Sequence, residues 1–188
     1  MGILDIRVLG DPILRQATVP VTGMTEALHR LIADMFDTMH HARGIGLAAP
    51  QVGRTERLAV VELDGERLVL INPEIVERAG RAKGEEGCLS IPDIYADVER
   101  PKSVTVRALD EQMHPYEREA TELLARCIQH EIDHLDGKLF LDYLSVLKRT
   151  AALAKWKLEA HHYPGNVRRV SLEKPEDLDE HEHLDEEL

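Results

Sequence analysis

"CIQHEIDHLDG", residues 127–137, decides how this chain folds. The stretch reads as the later part of a helix over 121–136. Leu123, Leu124, Cys127, Ile128, Ile132 and Leu135 recur at helical spacing and give apolar contacts on more than one side. A helix apolar on several sides is expected in a core, not on a surface. Gly137 stands where a helix ends in a left-handed residue. Yet His130, Glu131 and His134 sit among the apolar residues. Glu131 falls four residues after Cys127 and seven after Leu124, on an apolar stripe. A buried carboxylate costs free energy unless it is paired or used. The helix is therefore expected at the centre of the fold, with polar groups that serve chemistry.

His130-Glu-Ile-Asp-His134 matches H-E-x-x-H. Residues four apart on a helix point the same way, so two imidazoles can share one metal ion. Glu131 can then reach a water on that ion. Catalytic metal sites usually take three protein ligands and leave one position open. Cys127 is the tempting third. The metal should sit near the midpoint of the two histidines, around residue 132. Five residues of helix rise is roughly 7.5 Å, too far for a one-carbon thiol stem, so Cys127 reads as a small buried packing residue. A further histidine six residues after the motif would need position 140, which is Phe140. Cys88 remains. It lies in "EEGCLSIP", read as a glycine-flanked loop that could carry a ligand across the fold to the helix.

Around this helix the chain reads as one domain. Ala27, Leu28, Leu31, Ile32, Met35, Phe36 and Met39 mark a helix over 25–41, with Thr25 able to cap it. "ARGIGLAAPQVGRT" reads as a loop. Residues 57–63 and 67–77 read as strands joined through Asp64-Gly65, a strong hairpin turn. "YADVERP", "SVTVRALD" and "PYEREA" add strands. Residues 142–162 read as an amphipathic helix with Leu144, Leu147, Ala151, Leu153, Trp156 and Leu158 on its apolar side. Helices and strands do not alternate, so the expected class is α+β: antiparallel strands around a buried central helix, plus a C-terminal helix. The catalytic domain is expected over 1–165, and 166–188 as an acidic, flexible tail.

The chain has 188 residues and a formal charge of −12. Residues 171–188 hold nine acids and one lysine, so the rest is only mildly acidic. That excludes a general DNA-binding surface, which would be basic. Two cysteines, Cys88 and Cys127, make no disulfide scaffold and fit a reducing compartment. "MGILDIRVLGDP" shows no secretory signal. Its Met-Gly start lacks the Ser or Thr of a myristoylation site, having Ile6 there. No apolar run is long enough to span a membrane. These readings point to the cytoplasm.

"GIGLAAPQVG" (44–53), "EGCLS" (86–90) and "QHEIDHLDG" (129–137) stand in this order. Together they resemble the three motifs of the bacterial peptide deformylase family, over roughly residues 1–160. The resemblance implies that family's reaction, removal of the formyl group from formylmethionyl nascent peptides. It implies that Cys88, His130 and His134 bind one divalent metal ion, Fe²⁺ first, with Ni²⁺, Co²⁺ or Zn²⁺ able to take the site. By the same resemblance, a metal-activated water attacks the formyl carbon, and Glu131 is the general acid and base. The Gln51 side-chain amide and the Leu89 backbone N–H would stabilise the oxyanion. Gly44 and Gly46 would let a bound peptide approach the backbone, and Ile45, Leu123, the stem of Arg126 and Cys127 would line the methionine pocket. Asp133 is expected to make a structural hydrogen bond or surface contact.

Two rivals share some of these features. A zinc peptidase uses H-E-x-x-H but has no need of the "EGCLS" loop. A metal-binding or ribosome-associated protein without activity has no need of Glu131 and Gln51. Lys148, Arg149, Lys155 and Lys157 raise a further expectation, docking on the ribosome near the emerging chain, with the acidic tail tuning it. The histidine pairs at 40–41, 161–162 and 181/183 read as solvated.

Overall fold

The computed structural model describes residues 2–170. A short β1 (Ile6–Arg7) leads to α1 (Glu26–His41). The strands follow as β2 (Gly46–Ala48), β3 (Leu58–Leu63), β4 (Glu66–Ala79), β5 (Ala82–Cys88), β6 (Ile91–Arg100), β7 (Ser103–Leu109) and β8 (Pro115–Thr121). Then come α2 (Glu122–Leu135), α3 (Val146–Glu159) and β9 (Val167–Arg168). The main sheet is antiparallel, in the order β2-β3-β4-β7-β8. β5 and β6 form a separate hairpin, and β1 pairs with β9. The fold is α+β around the helix that carries H-E-x-x-H, as expected.

Strand β3 explains how the layers assemble. Alternate side chains of a strand face opposite ways. Leu58 and Val60 pack with α1, where Leu31, Ile32, Met35 and Met39 are buried. Ala59 and Val61 pack with α2 through Ile128, Ile132 and Leu135. Both faces are thus covered, which is why "LAVVEL" is apolar without alternation. Thr25 accepts a hydrogen bond from Leu28 N–H at 3.1 Å and caps α1. Asp64 and Gly65 both take positive φ, as a type I′ turn requires, and set Leu63 opposite Glu66. Gly137 is left-handed, and a Cβ there would stand 2.7 Å from Arg15 O.

The structure corrects five boundaries. "EEGC" is not loop: it is the end of β5, and only Leu89 and Ser90 turn the chain into β6. β6 starts at Ile91, before the expected tyrosine. Gly46–Ala48, read as loop, is the edge strand of the main sheet. The last helix spans 146–159, and Trp156 is its only buried residue, while Leu147 and Leu158 face solvent. Finally, β9 pairs with β1, so the folded body continues past residue 165. The acidic stretch 171–188 lies outside the described residues.

Candidate metal centre

Helix α2 and the β5–β6 hairpin meet over the sheet, and their junction carries the chemistry. Two α2 residues four apart, His130 and His134, face one way with ring centroids 5.0 Å apart. Cys88 arrives from the end of β5, with Sγ 3.2 Å from His134 Nε2. One donor atom from each of the three lies within 4.8 Å of the others. Cys127 is not in this group. Its Sγ lies 3.6 Å from Ile45 O, in the apolar cluster beneath the helix, and burial pushes its thiol well above the ordinary range.

Strand periodicity brings Glu86 to the same face as Cys88, two residues away. Its carboxylate meets His130 Nδ1 at 3.1 Å. A carboxylate only accepts, so His130 Nδ1 carries a proton and Nε2 is the nitrogen left for a metal ion. Burial alone would raise Glu86, but hydrogen bonds from Arg100 and His130 outweigh it and hold the carboxyl at about 2. Arg100 grips both Glu86 oxygens and passes a third bond to Asp133 at 2.8 Å. Tyr143 closes the chain by donating to Asp133 Oδ1 at 2.8 Å. Asp133 therefore makes the structural hydrogen bonds expected of it, and Phe140 stacks on the His130 ring.

Two buried polar atoms have no hydrogen-bond partner among the described residues, Glu131 Oε2 and His134 Nδ1. Burial raises the Glu131 carboxyl to about 7, although His130 and Arg100 pull it down. Burial also lowers His134 well below the imidazole range and keeps it neutral. His130 goes the other way: burial opposes its charge, but Cys88 and Glu86 beside it favour positive charge on the ring, which a metal ion on Nε2 would supply in place of a proton. A thiol, two imidazoles and carboxylates in one place suit a positive ion, and a soft N/S donor set suits a transition metal. The residues present fit such an ion.

This junction floors a cleft of about 620 Å³. Gln51, Leu89, His130 and Glu131 line it, with Gly46, Ile45, Leu123, Arg126 and Cys127. Gln51 is buried: its Oε1 accepts from Ala48 N–H at 2.8 Å, and its Nε2 points to Ser90 Oγ at 3.2 Å and Cys88 Sγ at 3.6 Å. Leu123 is half exposed at the rim, not in the core. The glycine of β2 also has a structural reason. A Cβ at Gly46 would press on Glu131 Oε1 and stand 2.7 Å from Cys127 Sγ, so its bare Cα makes room for the carboxylate. Gly44 likewise makes room for Leu89.

Sequence reading missed several residues here. Glu86 and Arg100 have no assigned role in the sequence reading; the available signal is the alternation Glu86-x-Cys88 in an unrecognised strand. Tyr163 and Arg168 also line the cleft, and Arg168 donates to Leu89 O at 3.4 Å. Arg168 lies where the sequence suggested a tail.

Residues 3–150 match the family model for polypeptide deformylase. A peptide deformylase of Alkalilimnicola ehrlichii is 57% identical over 153 residues, covering 79% of this chain and 86% of that protein. The crystal structure of a Legionella pneumophila peptide deformylase superposes with a TM-score of 0.82 at 49% identity, covering 85% of this chain and 96% of that one. A Synechococcus elongatus peptide deformylase, solved in complex with actinonin, superposes with a TM-score of 0.78 at 47% identity, covering 82% and 86%.

Proposed function

The chain belongs to the polypeptide deformylase family, and from that premise we propose that it hydrolyses the N-terminal formyl group of formylmethionyl nascent peptides in the cytoplasm, releasing formate. One observation carries the reading: a thiol and two imidazoles converge within 4.8 Å beside a buried carboxylate oxygen with no partner, at the floor of a cleft. Cys88, His130 and His134 would hold a divalent ion, Fe²⁺ in the first instance. When bound, such an ion supplies Lewis-acid activation of water and of the formyl carbonyl.

The remaining steps belong to side chains. Glu131 accepts a proton from the attacking water and passes it to the amine as the C–N bond breaks. A carboxyl near 7 can do both at neutral pH. The amide Nε2 of Gln51 and the N–H of Leu89 are the donors we assign to the developing oxyanion. Glu86 and Arg100 hold His130 in the tautomer that offers Nε2.

The sheet edge suits an extended peptide. Glu62 N–H donates to Ile45 O at 2.9 Å, so position 45 is a hydrogen-bonded pair with β3. Hydrogen bonds alternate along an antiparallel ladder, and Gly46 therefore turns its N–H and C=O to the open edge. A substrate strand can pair there, with its methionine against Ile45, Leu123, Cys127 and the Arg126 stem. Among the described residues no helix is long and apolar enough to cross a membrane. Helix α3 presents Leu147, Leu158 and four basic side chains outward, which supports ribosome docking as part of the reading.

The deciding experiment offers anaerobically purified protein a formyl-Met peptide and its unformylated twin, with metal analysis of the same sample. Formate release from the first, cleavage of neither backbone and about one ion per chain are expected. Peptide-bond cleavage in the twin would mark a zinc peptidase instead. Cys88→Ser should empty or reshape the site, and Cys127→Ser should not; equal metal loss in both would overturn the ligand assignment. Co-sedimentation with ribosomes, full-length against 1–170, tests docking, and absence from the pellet in both removes it.

A further inference from the structure

The three candidate ligands come from two bodies that share no backbone ladder. His130 and His134 ride on α2, packed on the main sheet, whereas Cys88 ends a two-stranded hairpin outside that sheet. An isolated hairpin is marginal on its own, so side chains must fix its place against α2. Arg126 is built for this. It sits one turn before His130, and its side chain is only 12% exposed. Nη1 donates to Glu86 Oε1 at 2.6 Å and to Val98 O at 2.9 Å, and Nη2 donates to Ala82 O at 2.9 Å. Those acceptors lie on both strands of the hairpin. Gly84 lets the planar head lie flat on β5, because a Cβ there would stand 3.1 Å from Nη2. Arg126 also lines the cleft.

The geometry points to Arg126 as a positioning residue that clamps the β5–β6 hairpin to α2 and so fixes the Cys88 thiol relative to the two imidazoles. The pocket-lining role expected from its stem is the lesser part. A planar fork with several donors suits three acceptors on two strands, and lysine cannot reproduce it. The inference rests on the metal reading above. Groups that orient ligands in this way typically change metal affinity about 10–100-fold when lost.

The test uses the full chain loaded with Co²⁺ as wild type, Arg126→Met, Arg126→Lys and Val98→Ala. Methionine keeps an apolar stem and removes the head. Val98→Ala loosens the hairpin core while keeping the backbone carbonyl that Arg126 contacts. The readouts are the thiolate-to-cobalt charge-transfer band, the rate of metal loss to EDTA and the unfolding midpoint of the metal-free protein. Arg126→Met should weaken or shift the band and speed metal loss about tenfold or more, with Arg126→Lys between it and wild type. Val98→Ala should lower the midpoint while keeping the band and the slow loss. A wild-type band and loss rate in Arg126→Met would overturn the clamp, as would equal acceleration by Val98→Ala at a matched midpoint. A wild type that takes up no cobalt would overturn the metal reading itself, and the clamp with it.

Discussion

Helices α2 and α3 have the same length, 14 residues, and opposite fates. α2 buries ten residues, among them Gln129, His130, Glu131, Asp133 and His134. α3 buries one, Trp156, and leaves Val146, Leu147 and Leu158 more than two-thirds exposed. Residue type alone would have placed several of these the other way round. The difference lies in partners. Gln129 donates to Ala125 O and Pro101 O, Asp133 accepts from Arg100 and Tyr143, and His130 meets Glu86. Each such bond offsets the cost of taking a polar group out of water. What remains unpartnered on α2 is Glu131 Oε2 and His134 Nδ1, and that unmet polarity marks the site.

The largest expected effect tests whether α2 buries Glu131 for chemistry. Glu131→Gln keeps the shape and loses the titratable oxygen. Formate release should fall about 10³-fold, within the range for a lost general acid–base, while metal content stays at the wild-type level. Turnover within tenfold of wild type would leave the buried carboxylate without a chemical reason.

Next comes the one buried residue of α3. Trp156 stacks on Tyr163 at 5.6 Å between ring centroids and donates Nε1–H to Leu9 O at 3.0 Å. Trp156→Ala should cost about 3 kcal/mol or more in a denaturant titration. It should also slacken the return of Tyr163 and Arg168 to the cleft wall, raising KM more than it lowers kcat. A loss under 1 kcal/mol would mean that α3 is held by something other than this residue.

The pH response of α2 comes from Glu86. Its carboxyl is lowered from the ordinary 4.5 to about 2 in the folded state, because Arg100 and His130 outweigh burial. Below about 2 both states are protonated and the contribution is absent; above 4.5 it is fully present, and it is lost as pH falls from 4.5 towards 2. Linkage over that interval is on the order of 3 kcal/mol. Acid titration of stability should therefore be steeper for wild type than for Glu86→Gln, which lacks the group. Parallel acid limbs in the two proteins would show that Glu86 is not held low.

What the sequence made legible was local. H-E-x-x-H sits on consecutive turns of one helix, Asp64-Gly65 is a complete turn in two residues, and Thr25 and Gly137 cap their helices within one turn. The strand that delivers Cys88 reads as loop because Gly84, Gly87 and three charges between residues 83 and 86 suppress the usual strand composition. Its strand character comes from pairing with β6, not from propensity. Nothing local marks Glu86 either: its partners Arg100, Arg126 and His130 are 14 to 44 residues away. β9 is two residues long and stable only against β1, some 160 residues earlier, so no local pattern could announce it. The apolar spacing of α3 was real, but spacing does not say whether a partner surface exists within the chain.

The smallest expected effect sharpens that last point. Leu147 is 81% exposed and Leu158 71%. Replacing either by serine removes little buried area, so stability should move by no more than about 0.5 kcal/mol. Ile128 on α2 is fully buried, and Ile128→Ala should cost about 2–5 kcal/mol by the same measurement. A loss above 1 kcal/mol for Leu147→Ser would show that α3 is packed in solution and would erase the contrast between the helices. If stability holds while ribosome co-sedimentation falls, the outward leucines of α3 have an external partner. The two helices would then divide the work, α2 burying polar groups for chemistry and α3 exposing apolar ones for docking.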